Sequence, residues 1–141
     1  HRQTFHPGGR LGASRRPGRE WVTTGDALPV GKTSLSLRSV ILEMRRKAVG
    51  GMGVTDDGGG LGGVSTGADR RRALHRELDA TTAEEVMNRS PITTTPATLA
   101  QDVLLLLNAR SKPITSLFVV GEDGQPQGII HLHDLLRAGL A

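Results

Sequence analysis

The chain has no cysteine and no tyrosine, and its 141 residues include only two phenylalanines and one tryptophan. Without cysteine, disulfides, thiolate zinc sites and cysteine nucleophiles are excluded together. With aromatics at 2%, a protein that stacks single-stranded bases on rings has little to work with. Long apolar runs are missing too. The longest unbroken aliphatic stretch, Val103 to Leu107, falls far short of the ~20 residues that span a bilayer. No apolar segment follows the early arginines, so a secretory signal is not expected and a cytoplasmic location is.

Positive charge and glycine are plentiful. The net charge is +4 with 19 glycines, and the pI is about 10.6, which directs attention to anionic partners. Nucleic acid is disfavoured by the shortage of rings, which leaves phosphorylated small molecules. The apolar share of 36% is ordinary for a folded protein, and the length suits one domain or two small modules sharing a core.

The chain repeats itself. Gly63 matches Gly128 and Asp69 matches Asp134, both at an offset of 65 residues. The same offset without a gap pairs Thr33 with Thr98, Leu42 with Leu107, Arg45 with Arg110 and Lys47 with Lys112. It also pairs Val54 with Val119, Gly59 with Gly124 and Arg72 with Arg137. Two related modules of about sixty residues follow from this.

Each module reads as strand, helix, strand, strand, helix. Thr33 and Thr98 are candidate N-caps, the second in a capping box with Gln101. Apolar residues then recur at helical spacing: Leu37, Val40, Ile41, Met44 and Ala48, against Leu99, Val103, Leu106 and Leu107. A β-rich run follows (Gly51–Thr55, Ser116–Val120), then turn residues, a short strand and a helix beginning near Asp69 or Asp134. Between the copies, Thr82 and Glu85 form a capping box before a short helix.

Three motifs are tested by the repeat. Gly58–Gly63 contains a G-x-G-x-x-G, but strand-like residues follow it and its twin contains Pro126, so it is a loop between strands. Gly31-Lys32-Thr33 resembles the end of a P-loop, yet Asp26 stands where that motif needs its first glycine. His131 and His133 fall in a strand-to-helix turn, and their counterparts are Thr66 and Ala68, so no metal site is expected there.

What repeats is a turn of the form G-h-x-[T/H]-x-x-D at the start of each last helix. A helix N-terminus favours anions, and a carboxylate beside it suits ribose hydroxyls. The plainer reading is that each aspartate caps its helix. Arg70, Arg71 and Arg72 crowd the first of these turns, against the helix dipole, which points to recruitment of a polyphosphate or nucleotide.

The runs Gly63-Val64-Ser65-Thr66-Gly67-Ala68-Asp69 and Gly128-Ile129-Ile130-His131-Leu132-His133-Asp134 resemble those of a cystathionine-β-synthase (CBS) domain pair, or Bateman module. The ending His131–Gly139, with Thr24-Gly25-Asp26 and Lys112–Leu117, is similar to the C-terminal part of arabinose-5-phosphate isomerases. Phe5-His6-Pro7-Gly8-Gly9-Arg10-Leu11-Gly12 resembles the close of their sugar-phosphate isomerase (SIS) domain.

The resemblance implies an α+β fold, two β-α-β-β-α modules packed about a pseudo-twofold with a cleft between them. Residues 1–20 would be the remnant of the SIS domain, 21–79 the first CBS domain and 80–141 the second. Thr66 and Asp69 would serve one half-site and His131 and Asp134 the other, with Thr115 and Met52 as walls around a base. The implied effector is a nucleotide or nucleotide-sugar, adenine nucleotide or CMP-Kdo, with no required cofactor. The partners implied are an SIS isomerase domain and a second copy in a homodimer.

His6 matches the family's catalytic histidine. On a Gly/Pro-rich segment without its α/β domain it lacks the other acid/base groups, so this chain alone is not expected to interconvert ribulose 5-phosphate and arabinose 5-phosphate for Kdo and lipopolysaccharide synthesis. The alternatives are a ligand-free module that only dimerises the isomerase and, further off, a basic nucleic-acid binder. The sequence departs from the family at Thr66-Gly67-Ala68-Asp69-Arg70, where a carboxylate and an apolar helix position are lost.

Overall fold

The hairpins keep the register that the sequence repeats. In the computed structural model, residues 15–47, 50–109 and 114–139 are described. Strands β1 (Val22–Thr23) and β2 (Val30–Lys32) precede helix α1 (Leu37–Lys47), strands β3 (Gly51–Thr55) and β4 (Leu61–Thr66), and helix α2 (Gly67–Arg72). Helix α3 (Ala83–Val86) leads to β5 (Thr93–Thr94), α4 (Ala100–Leu107), β6 (Ser116–Val120), β7 (Pro126–His131) and α5 (Leu132–Arg137). One sheet has the order β2-β3-β4, the other β1-β7-β6-β5. No helix among the described residues is long and apolar enough to cross a membrane.

Each module is the expected β-α-β-β-α unit, a parallel pair closed over a helix and then an antiparallel hairpin. Met52 pairs with Ser65 as Leu117 pairs with Ile130, and the register shifts after Val54 as it does after Val119. Gly59 and Gly124 both sit at positive φ, 86° and 82°, where a turn admits glycine most readily. The glycine-rich run is therefore a hairpin loop.

Upstream of the hairpins the ungapped alignment fails. Val30 pairs with Gly53, but Thr93 pairs with Phe118, two residues short of the expected partner. The buried stripe Leu37, Val40 and Met44 then corresponds to Ala100, Val103 and Leu107. Leu42, aligned with Leu107 by sequence, is 56% exposed while Leu107 is fully buried. The second module thus has two extra residues between helix and hairpin. A helix's register is set by its buried face, and matching surface cations do not report it. Arg110, Lys112 and Ala48 lie outside the described residues.

The cap assignments also change. Ser36 Oγ accepts from the Ser39 N–H at 3.2 Å, while the Thr33 N–H donates to Thr55 O and extends the sheet. Thr98 Oγ1 accepts from the Thr95 N–H, and the N-cap position of α4 is Leu99, with no side-chain bond. Both threonines lie in the turn before the helix rather than at its first residue. The Thr82–Glu85 capping box forms as expected.

The segments between modules are exchanged. β1 pairs with β7 (Val22 opposite Ile130), and the Gly18 N–H donates to Thr98 O at 2.6 Å, so residues 17–23 close the second module's sheet. At equivalent places Asn88 bridges Val64, and the Ala83 N–H donates to Leu35 O at 2.7 Å. Each module is completed by the stretch that precedes the other. The glycine of each repeated turn follows from this. A methyl group on Gly63 would stand 2.6 Å from Asn88 O, and one on Gly128 2.9 Å from Thr23 O.

The cores differ in size. The second holds Ala100, Val103, Leu107, Leu117, Val119, Ile130 and Leu135; the first holds Val40, Met44, Met52, Val54 and Ala83. Phe118 joins the modules. Its ring lies where a side chain on Gly53, the equivalent residue of β3, would have to go, 2.8 Å from that point. Burial of such a ring contributes about 1.5–3 kcal/mol, and here it binds the sheets to one another.

Candidate functional site

A cavity of about 440 Å³ runs along the junction of the two modules. Its size falls within the ~300–1,000 Å³ of ordinary small-molecule pockets. One side comes from the first module: Gly50 and Gly51 at the start of β3, Thr66 at the end of β4, and Gly67, Ala68 and Arg71 on α2. The other side is the run from Ile114 to Phe118, and Asn88, Pro91 and Ile92 close it from the connecting segment. The small residues leave room between the sheets, and Val64, Ile92, Ile114, Leu117 and Phe118 make the lining apolar. Polar groups come from Thr66, Thr115, Ser116, Asn88 and Arg71. An apolar slot with a few polar groups at its edge suits a flat heterocycle carrying a hydrophilic tail.

The residues expected to bind ligand are divided by the fold. Thr66 and Thr115, from different modules, both line the cavity. Asp69 is 8% exposed and belongs to a capping box. Its Oδ2 accepts from the Thr66 N–H at 3.0 Å and from Thr66 Oγ1 at 2.9 Å, and its Oδ1 pairs with Arg72. Met52, 1% exposed, packs in the first module's core.

The twin turn is built more loosely. His131 occupies the N-cap of α5 without a side-chain hydrogen bond, and Asp134 pairs with Arg137 at 2.7 Å. His131 stands opposite Ser116 in the β6–β7 register. Neither His131 nor Asp134 lines the cavity. His6 lies outside the described residues.

A second hollow, about 680 Å³, opens on the flank of α2 and is lined by charge: Asp69, Arg72, His75, Arg76, Glu85 and Arg89 among others. Its ions are largely spent on each other, Arg72 on Asp69 and Arg76 on Glu85 at 3.2 Å. The Thr82 backbone N–H, foremost among several donors, holds the Glu85 carboxyl below the usual carboxylate range. No group of three or more histidines and acids able to hold a metal occurs among the described residues.

Sequence reasoning missed Asn88, Ile92, Ile114 and Phe118. One signal was available: Pro91-Ile92 and Pro113-Ile114 are the same dipeptide, each ahead of a strand, and both isoleucines line the cavity. Asn88 was hidden because its place depends on the exchange of segments.

Comparison with known proteins bears on this cavity. Residues 83–141 match the CBS domain family. Arabinose 5-phosphate isomerase KdsD of Pseudomonas aeruginosa is 38% identical over 138 residues, covering 96% of this chain and 42% of the relative. The Yersinia pestis KdsD is 37% identical, covering 96% and 41%. The chain thus spans less than half the length of the curated relatives it matches. Among solved structures, the CBS-pair protein CBSX2 from Arabidopsis thaliana superposes with a TM-score of 0.76 at 25% identity, covering 88% of this chain and 94% of that one. CBSX2 in complex with AMP gives 0.71 at 24%, covering 88% and 96%.

Proposed function

We propose, from the premise that this chain is a CBS domain pair matching the CBS region of arabinose 5-phosphate isomerases, that it senses a nucleotide or nucleotide-sugar and controls an attached isomerase domain. The observation that carries the reading is the cavity of about 440 Å³ formed jointly by both modules. A ligand held by two units at once is bound most tightly in one relative arrangement of them, and any change in that arrangement can be passed on.

The exchanged segments supply a route. Asn88 touches the cavity, and its equivalent Thr23 lies in the stretch that closes the second module, downstream of the residues that resemble the end of an SIS domain. An adenine nucleotide is one candidate, supported by CBSX2, which has been crystallised with AMP; CMP-Kdo is the other. Thr66 and Thr115 are the groups proposed to meet the ligand. A homodimer draws support from Leu42 and Leu105, exposed leucines at equivalent places on α1 and α4.

Thermal melting with AMP, ADP, ATP, CMP and CMP-Kdo tests the reading. A ligand at a hundred times its Kd stabilises by about 2.7 kcal/mol. No shift with any of them at millimolar concentration would end it.

The ligand-free reading has one observation in its favour. Asp69 and Asp134 are both occupied by arginines of their own helices, as caps and ion pairs would be. A module that only holds two isomerases together melts at a temperature set by protein concentration and ignores the nucleotides.

A further inference from the structure

Arg70 stands where the second module has Leu135, a residue buried completely in the core. Its Nε is buried without a hydrogen-bond partner. An unpaired polar nitrogen in such a place is destabilising, so the packing of α2 does not account for an arginine there.

The far end of the side chain does. Arg70 Nη2 and Arg71 Nη1 each come within 3.4 Å of the point where a side chain on Gly67 would begin. Gly67 and Arg71 line the cavity between the modules. Among the described residues neither arginine forms an ion pair. Asp69, their neighbour in sequence, is taken by Thr66 and Arg72 and lines the other hollow. Two like charges therefore meet over one glycine of the apolar slot: Arg71 lines the slot, and Arg70, which does not, reaches it at that glycine.

We propose that Arg70 and Arg71 form an anion clamp that makes this cleft select phosphate-bearing ligands, nucleoside phosphates or nucleotide-sugars, over bare nucleosides. Gly67 is part of the device, since any side chain there would fill the space in which the anion sits. The equivalent places in the second module are Leu135 and Leu136, so the clamp is confined to one half of the pair. The inference rests on the nucleotide reading of the cleft.

Calorimetric titration of the full chain separates the two. Adenosine, AMP and ADP, and the cytidine series, are titrated into the wild type and into an Arg70→Leu/Arg71→Ala variant. Arg70→Leu installs the residue of the better-packed module, so the fold is retained. In the wild type the monophosphate is expected to bind at least about tenfold more tightly than its nucleoside, the scale of a charge-assisted contact. The double variant brings the two together, the monophosphate Kd weakening by far more than the nucleoside Kd.

Equal affinity for nucleoside and monophosphate in the wild type overturns the clamp and leaves nucleotide binding standing. If neither series binds, the nucleotide reading falls and inorganic pyrophosphate alone decides the clamp. Stabilisation of the wild type and not of the variant upholds it; no stabilisation of either overturns it.

Discussion

The hairpins β3–β4 and β6–β7 share one register, one irregularity and one left-handed glycine, and almost none of their buried content. Ile130 fills the second where Ser65, its hydroxyl unpartnered, fills the first. Phe118 corresponds to Gly53, and Leu135 to Arg70. Turn glycines and close backbone approaches fix the shape of each module, while side-chain volume is free to vary. In this molecule the second module supplies the packed core, and the first supplies the space and charge of the cleft.

Leu135→Arg would break that division most severely. It places in the larger core what the smaller one tolerates at Arg70. Leu135 is fully buried, so the guanidinium would be left uncompensated, a loss of several kcal/mol. Urea denaturation would read it as collapse of the midpoint. A midpoint close to the wild type would mean that the second core accepts an arginine as readily as the first, and the division between the modules would fall.

Phe118→Ala comes next, at about 3–5 kcal/mol. Because the ring lies against Gly53, the pair is suited to a double-mutant cycle. Gly53→Leu alone should destabilise by overpacking, and in the Phe118→Ala background it should recover part of the loss. Additive effects would show that the ring does not join the modules there.

These pairs also mark how far the sequence could be read. The 65-residue offset delivered both hairpins, because turn glycines and alternating apolar residues are local signals. It misplaced α1 against α4, since Leu42 and Leu107 match in type but not in burial, and only packing shows the two-residue difference. The exchange of residues 17–23 and 82–88 was invisible, because a two-residue strand and a single bridge at Asn88 carry no periodicity. Of the cleft, Thr66 and Thr115 were legible. Met52 was read as a wall, but strand alternation turns it into the core. Asp69 was read as a ligand group, and the same residue type at the same place completes the capping box of Thr66, an ambiguity that one carboxylate in one sequence does not resolve.

Ser65→Ala should move the smaller core towards the larger. The Ser65 Oγ is buried with no partner, and removing an unsatisfied hydroxyl is expected to stabilise by about 1 kcal/mol. The melting temperature should rise by a few degrees. A fall would show that the hydroxyl has a partner in solution, a bound water or ligand within the first module.

The smallest effect concerns the two exchanged segments and is set by pH. Residues 82–85 carry a capping box in which the Thr82 N–H donates to Glu85 at 3.0 Å, and this bond is the main reason the Glu85 carboxyl lies below its usual 4.5. The equivalent turn begins at Pro17, which has no N–H to offer Glu20. A folded-state value below the unfolded one stabilises above pH 4.5 and is lost as pH falls through the lowered value. Acid should therefore loosen the attachment of residues 82–88 to the first module and spare that of residues 17–23 to the second. Hydrogen-exchange protection, corrected for intrinsic rates, reads this directly at the reciprocal Val64 and Asn88 amides against those of the β1–β7 pair. On going from pH 5 to pH 3 the first pair should lose protection more than the second, and Glu85→Gln should abolish the difference. Equal losses would mean that the two segments are held by the same forces, and that the asymmetry of the modules stops at their cores.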